Sequence, residues 1–172
     1  MVRRYRRRIA NKDKYSIEQT VIRTDSLNAW PTVPAGEYTA MSRQFKLVVV
    51  PSSDLQGMRK VKHLTFSISN GEWANTSQSE MLYALVYVPQ GYTPQDINFP
   101  APGSATTLYD ANQYVMSSGV IDFTGGPCRI KTPLSRNLNS GDAIFLILAM
   151  PYLENPGSDA LLASVKYAIT LQ

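Results

Sequence analysis

Clusters rich in proline and glycine cut this chain into short apolar runs, and none of the runs sustains a helical period. β-Branched and aromatic residues fill them, at 15–24, 43–50, 59–69, 81–88, 113–123, 128–136, 143–150 and 161–171. In the first, Ile17 and Val21 share a face. In the third, Leu64, Phe66 and Ile68 alternate with His63, Thr65 and Ser67; in the last, Val165, Tyr167, Ile169 and Leu171 alternate with Ser164, Lys166, Ala168 and Thr170. A period of two sends alternate side chains to opposite faces of a strand. The prolines from Pro31 to Pro156 fall between the runs or at their edges, where a residue without an amide donor interrupts no ladder. Pro133, inside the short and polar sixth run, is the exception.

Eight strands and no convincing helix predict an all-β domain, an antiparallel β-sandwich. The links at 25–42, 70–80 and 89–112 are longer than hairpins need, as expected of chains crossing between two sheets. The expected architecture is therefore a single eight-stranded jelly roll over residues 15–172. The fourth and seventh runs are apolar on both faces. Either neighbouring subunits or the long loops must cover their outer sides.

Charge is distributed unevenly. Residues 1–14 hold Arg3, Arg4, Arg6, Arg7, Arg8, Lys12 and Lys14 against Asp13 alone, a net of +6. The remainder carries ten basic and twelve acidic side chains, a net of −2, which returns the total of +4. A basic arm on a slightly acidic body points to a polyanionic partner held by the arm. Five guanidiniums within Arg3–Arg8 repel one another, so the arm is expected to be disordered until phosphates supply the counter-charge. Tyr5 adds a ring that can stack on an unpaired base. With no side chain spaced for base readout, binding should be sequence-tolerant and directed at single strands. A nuclear-import signal would use the same residues. Arg59, Lys60 and Lys62 form a second basic cluster, with Lys60 and Lys62 on one strand face, which would extend the phosphate-binding surface inward or stand as a solvated strand edge.

Other chemistry is sparse. His63 is the only histidine, which removes histidine-based metal clusters and most proton relays, and its strand setting suggests a packed or hydrogen-bonded side chain. Asp54, Asp96, Asp110, Asp122 and Asp142 lie in or beside turns, where carboxylates cap backbone amides. Gly125-Gly126-Pro127 marks a turn, and no phosphate-loop pattern occurs. The single cysteine, Cys128, excludes an internal disulfide and should pack as a small strand residue. No catalytic residues, metal or cofactor are expected, and no apolar run is long enough to cross a membrane as a helix or to follow the arginines as a signal peptide. Trp30, Tyr38, Trp73 and Tyr92 place aromatics in the loops, where they would make subunit contacts or bind glycans.

The segments Asn112-Gln113-Tyr114-Val115-Met116-Ser117-Ser118-Gly119-Val120-Ile121-Asp122-Phe123, Gly126-Pro127 and Leu134-Ser135-Arg136-Asn137-Leu138-Asn139-Ser140-Gly141-Asp142 resemble capsid proteins of circular, Rep-encoding single-stranded DNA viruses, the circovirus-like group. Leu85-Val86-Tyr87-Val88-Pro89-Gln90-Gly91-Tyr92 and the arginine arm fit the same pattern. The resemblance implies a jelly-roll subunit, ~60 copies in a closed T=1 icosahedral shell, an arm on the genome, assembly in the host nucleus, and a structural role for the 138–142 loop. The arm is shorter than is usual in that group: sixty arms at +6 supply about 360 charges, leaving a longer genome to be balanced by other cations or by inner-surface residues. The coat of a small satellite RNA virus would need the same arm and fold. A jelly-roll lectin or cytokine-like oligomer would not need the arm.

Overall fold

A computed structural model of the chain describes residues 15–24, 44–70, 80–100, 103–122, 127–149 and 161–171. These contain nine strands: β1 (Ser16–Thr24), β2 (Gln44–Val50), β3 (Arg59–Asn70), β4 (Glu80–Val88), β5 (Tyr114–Asp122), β6 (Cys128–Lys131), β7 (Ser135–Leu138), β8 (Ala143–Ala149) and β9 (Leu161–Leu171). They form two antiparallel sheets. One has the order β1-β9-β3-β6, with β7 also paired to β3; the other has the order β2-β8-β4-β5. Leu47, Val61, Leu64, Phe66, Met81, Leu85, Ile144, Leu146, Leu148 and Val165 are among the side chains buried between them. Fully burying a side chain of this size contributes about 1.5–3 kcal/mol, so this layer is the main source of cohesion.

The count of strands is nine rather than the eight expected, because the sixth run breaks in two. Pro133 has no amide hydrogen to give to β3, and the ladder stops on either side of it. β6 pairs with the second half of β3, from Thr65↔Lys131 to Ile68↔Cys128, and β7 pairs with the first half, from Arg59↔Leu138 to Lys62↔Ser135. Between them the Thr132 amide still donates to the Leu64 carbonyl at 2.9 Å.

β3 is irregular at the same level. Its register with β9 shifts between Lys62 and Thr65, so that His63 and Leu64 stand opposite Tyr167 alone. This is a β-bulge, and it explains a conflict in the sequence: Val61 and Leu64 are both buried but lie three residues apart, out of phase for an unbroken strand. The extra residue is His63, at φ 55° and exposed. It is not the packed histidine expected from its neighbours; its unusual backbone absorbs the phase slip. Cys128 does pack as expected, half-buried against the core.

The long link between β4 and β5 covers the outer face of the second sheet. Ile97, Phe99 and Leu108 pack there on Ala84, Val86, Val88, Val115, Phe145 and Ile147. This accounts for strands β4 and β8 being apolar on both faces, without requiring a neighbouring subunit. Two glutamines fasten the link by offering a side-chain amide in place of a ladder partner. Gln113 accepts from the Gln95 amide at 2.9 Å and donates to the Gln95 carbonyl at 3.1 Å. Gln44 does the same for Ile97, accepting from its amide at 2.8 Å and donating to its carbonyl. Gln113 is only 1% exposed, so Gln113→Ala leaves two backbone groups of Gln95 without partners and should cost about 2 kcal/mol. Hydrogen exchange at the Gln95 amide should become fast while the β2–β8 ladder stays protected.

The turn before β8 ties the end of the sandwich together. Asp142, 3% exposed, accepts hydrogen bonds from the Tyr87 hydroxyl at 2.8 Å, the Gln90 amide at 3.0 Å and the Asn139 amide at 2.8 Å. The Gly141 amide and the Ser140 hydroxyl both donate to the Ser53 carbonyl. Gly141 has φ +80°, and a β-carbon there would run into the Gln90 side chain, so the position needs glycine on both counts. Burial, then the hydrogen bond to Asp142 and its charge, raise the Tyr87 hydroxyl above its ordinary pKa.

Candidate nucleic-acid interface

The arm residues Arg3, Arg4, Tyr5, Arg6, Arg7, Arg8, Lys12 and Lys14 lie outside the described residues, as do the loop aromatics Trp30, Tyr38 and Trp73. What the fold does define is where the arm is attached. It joins the body through Tyr15 at the start of β1, an edge strand of the five-stranded sheet. Tyr92, the fourth loop aromatic, is 55% exposed beside the turn closed by its amide and the Pro89 carbonyl.

The second basic cluster separates into two parts. Arg59 leaves the expected inner-surface group: it is 6% exposed and points into the sandwich. Its guanidinium donates to the Pro51 carbonyl at 2.9 Å and to the Asp142 carbonyl at 3.0 Å, so it joins the β2–β3 link to the turn before β8. A buried arginine with both ends on carbonyls is a structural cation, not a phosphate ligand. Lys60 and Lys62 stand on the opposite, outward face of β3, half-buried along their stems. The Lys62 ammonium lies 4.7 Å from the centre of the Tyr15 ring, at the point where the arm begins.

Strand pairing brings three further cations to that outward face, none of which stood out along the chain. Ile130 and Cys128 turn into the core with Phe66 and Ile68, so their neighbours Arg129 and Lys131 turn outward with Ser67 and Thr65. On β9, Val165 and Tyr167 are buried and Lys166 faces out, opposite Thr65 on one side and Gln19 of β1 on the other. One row across the sheet therefore reads Gln19, Lys166, Thr65, Lys131, and the next reads Val21, Ser164, Ser67, Arg129. Beyond the bulge come Lys62 between Ala168 and Ser135, then Lys60 between Thr170 and Asn137. Arg129, Lys131 and Lys166 are exposed.

Two other described cations, Lys46 and Arg136, lie elsewhere. On the other sheet Lys46 pairs with Asp96 at 2.8 Å. Arg136, half-buried, lies 4.1 Å from the centre of the Tyr87 ring and 5.7 Å from that of Tyr114. Asp110 caps the Asn112 amide at 2.7 Å, as its turn position suggests. Among the described residues no group of three or more His, Cys, Asp or Glu side chains is arranged to hold a metal ion. No protein-family model matches the chain, and no curated protein matches it.

Proposed function

We propose that this protein is the coat protein of a small icosahedral virus, which assembles into a closed shell and packages single-stranded DNA through its N-terminal arginine arm. The observation that carries this reading is the order of the strands. Taken in sequence they fall in the first, second, first, second, second, first, second and first sheets, if β6 and β7 are counted as one strand broken at Pro133. That alternation supports a jelly roll, a fold common in viral shells but also in lectins. The arm distinguishes between these uses. A net of +6 in residues 1–14 is a counter-charge for phosphate and serves no purpose in a sugar-binding module.

Recombinant full-length protein should form closed particles of uniform size, visible by negative-stain microscopy, in the void volume of size-exclusion chromatography. Nucleic acid recovered from them should resist external nuclease and, once released, be digested as single-stranded DNA when the particles come from cells replicating the cognate genome. Protein that stays monomeric or trimeric across salt and pH, with no nucleic acid bound, would overturn the reading. RNA inside the particles would reassign the genome and leave the shell.

A further inference from the structure

We infer that the outward face of the five-stranded sheet is a second binding surface for single-stranded nucleic acid, formed by Lys60, Lys62, Arg129, Lys131 and Lys166 and continuous with the arm. Half of the ten basic residues beyond position 14 lie on this one face. None of the described acidic residues does. Glu18 is on the other side of β1, opposite Tyr167, and Glu80 belongs to the other sheet. Asp54, Asp96, Asp110, Asp122 and Asp142 are in loops, at the end of β5 or in the turn before β8. Among the described residues this sheet face therefore carries cations and no carboxylate, and a positive face of that kind attracts polyanions.

Several of the neutral neighbours fit the same partner, beside the exposed apolar Ile17 and Val21 at the β1 edge. Gln19, Thr65, Ser67, Ser135, Asn137 and Ser164 fill the positions between the cations with hydroxyls and amides, groups that hydrogen-bond phosphate and sugar without reading bases. Adjacent strands are ~4.8 Å apart and alternate residues along a strand ~6.8 Å apart, so the cations form a two-dimensional grid on which an extended chain can lie in more than one path. Such a surface should bind without sequence preference.

The arm can bring nucleic acid to this face. Arg8 is seven residues from Tyr15, a contour of at most ~25 Å, while four strands are only ~14 Å wide. A strand held by the arginines is thus delivered to the sheet that carries the arm. The inference deepens the coat-protein reading in one respect, since in a shell it places this sheet on the genome side. The binding itself does not require a shell. It also bears on the charge deficit: five more cations beside the arm's +6 nearly double the positive charge each subunit offers the genome, to about 660 over sixty copies.

The test measures binding of full-length protein to a fluorescent oligothymidylate across a salt series, by anisotropy. Each cation that displaces a counterion from a single strand adds about 0.7 to the slope of log affinity against log salt. R129Q/K131Q/K166Q should reduce the slope by about 2 and weaken binding on the order of 100-fold at ~0.1 M salt. K131R/K166R, which keeps the charge, should leave the slope unchanged and control for damage to the sheet, as should an unaltered unfolding midpoint in the glutamine variant. An unchanged slope in that variant overturns the inference even if particles form and package. A reduced slope in a protein that never forms particles upholds it while the coat-protein reading fails. Binding of heparin through these residues, with no effect on the oligonucleotide, would assign the face to sulfated glycans and overturn it as well.

Discussion

Asp142→Ala should lower the thermal unfolding midpoint by roughly 10 °C, a larger loss than from any single apolar truncation at the sandwich edges. The carboxylate accepts from the Tyr87 hydroxyl and from the amides of Gln90 and Asn139, and it is 3% exposed. Alanine supplies no acceptor, so the buried Tyr87 hydroxyl loses its partner and the part-buried amides of Gln90 and Asn139 lose theirs. A buried donor left without a partner costs about 1–3 kcal/mol, so the sum is on the order of 4 kcal/mol after partial rearrangement. Tyr87→Phe removes one of the three donors and keeps the carboxylate satisfied by the other two, so it should cost only about 1 kcal/mol. The contrast between the two variants is the diagnostic result, read by differential scanning calorimetry. Equal, small losses in both would mean that the turn is held from elsewhere, for example by the Gly141 and Ser140 bonds to Ser53.

Most of the secondary structure was legible along the chain, because short β-branched runs and proline punctuation are local signals. The run 161–171 and strand β9 coincide, and the others differ by a residue or so at their ends. The split of the sixth run was foreshadowed by Pro133, the proline that did not fit. The bulge at His63 was legible only as a three-residue spacing between Val61 and Leu64, and reading it needed the knowledge that both are buried. Gln44 and Gln113 gave no signal at all. A glutamine that replaces a ladder partner looks like any other until the loop it holds, carrying Gln95 and Ile97, is in place.

The basic face was half visible for a related reason. Alternation alone puts Lys60 with Lys62, and Arg129 with Lys131, on common sides of their strands. Whether those sides are the same side depends on pairings between residues far apart in the chain, and on the extra residue at the bulge, which reverses the phase of β3. The same local logic misplaces Arg59. Its position one residue before Lys60 shows that it faces the other way, but not that two carbonyls wait for it there.

Deleting residues 1–14 should have the largest effect on nucleic acid, and the fold predicts that it will leave the sandwich intact. Among the described residues, none of the strand pairings of the two sheets involves a residue before Ser16. Seven cations leave with the arm, so the salt slope for a single strand should fall by about 5, and affinity near 0.1 M salt by on the order of 100,000-fold. The five cations of the sheet should preserve a residual slope of about 3.5 if each displaces a counterion. The truncated protein should still unfold cooperatively at an unchanged midpoint, and on the coat-protein reading should form particles whose ratio of absorbance at 260 to 280 nm falls towards that of protein alone. Tyr5→Ala separates charge from stacking: it leaves the slope as it was and weakens binding by about tenfold, the worth of one stacked base at the lower end of the usual range. Full retention of packaged nucleic acid after truncation would show that the sheet, not the arm, is the principal holder, and that the arm's arginines serve another partner.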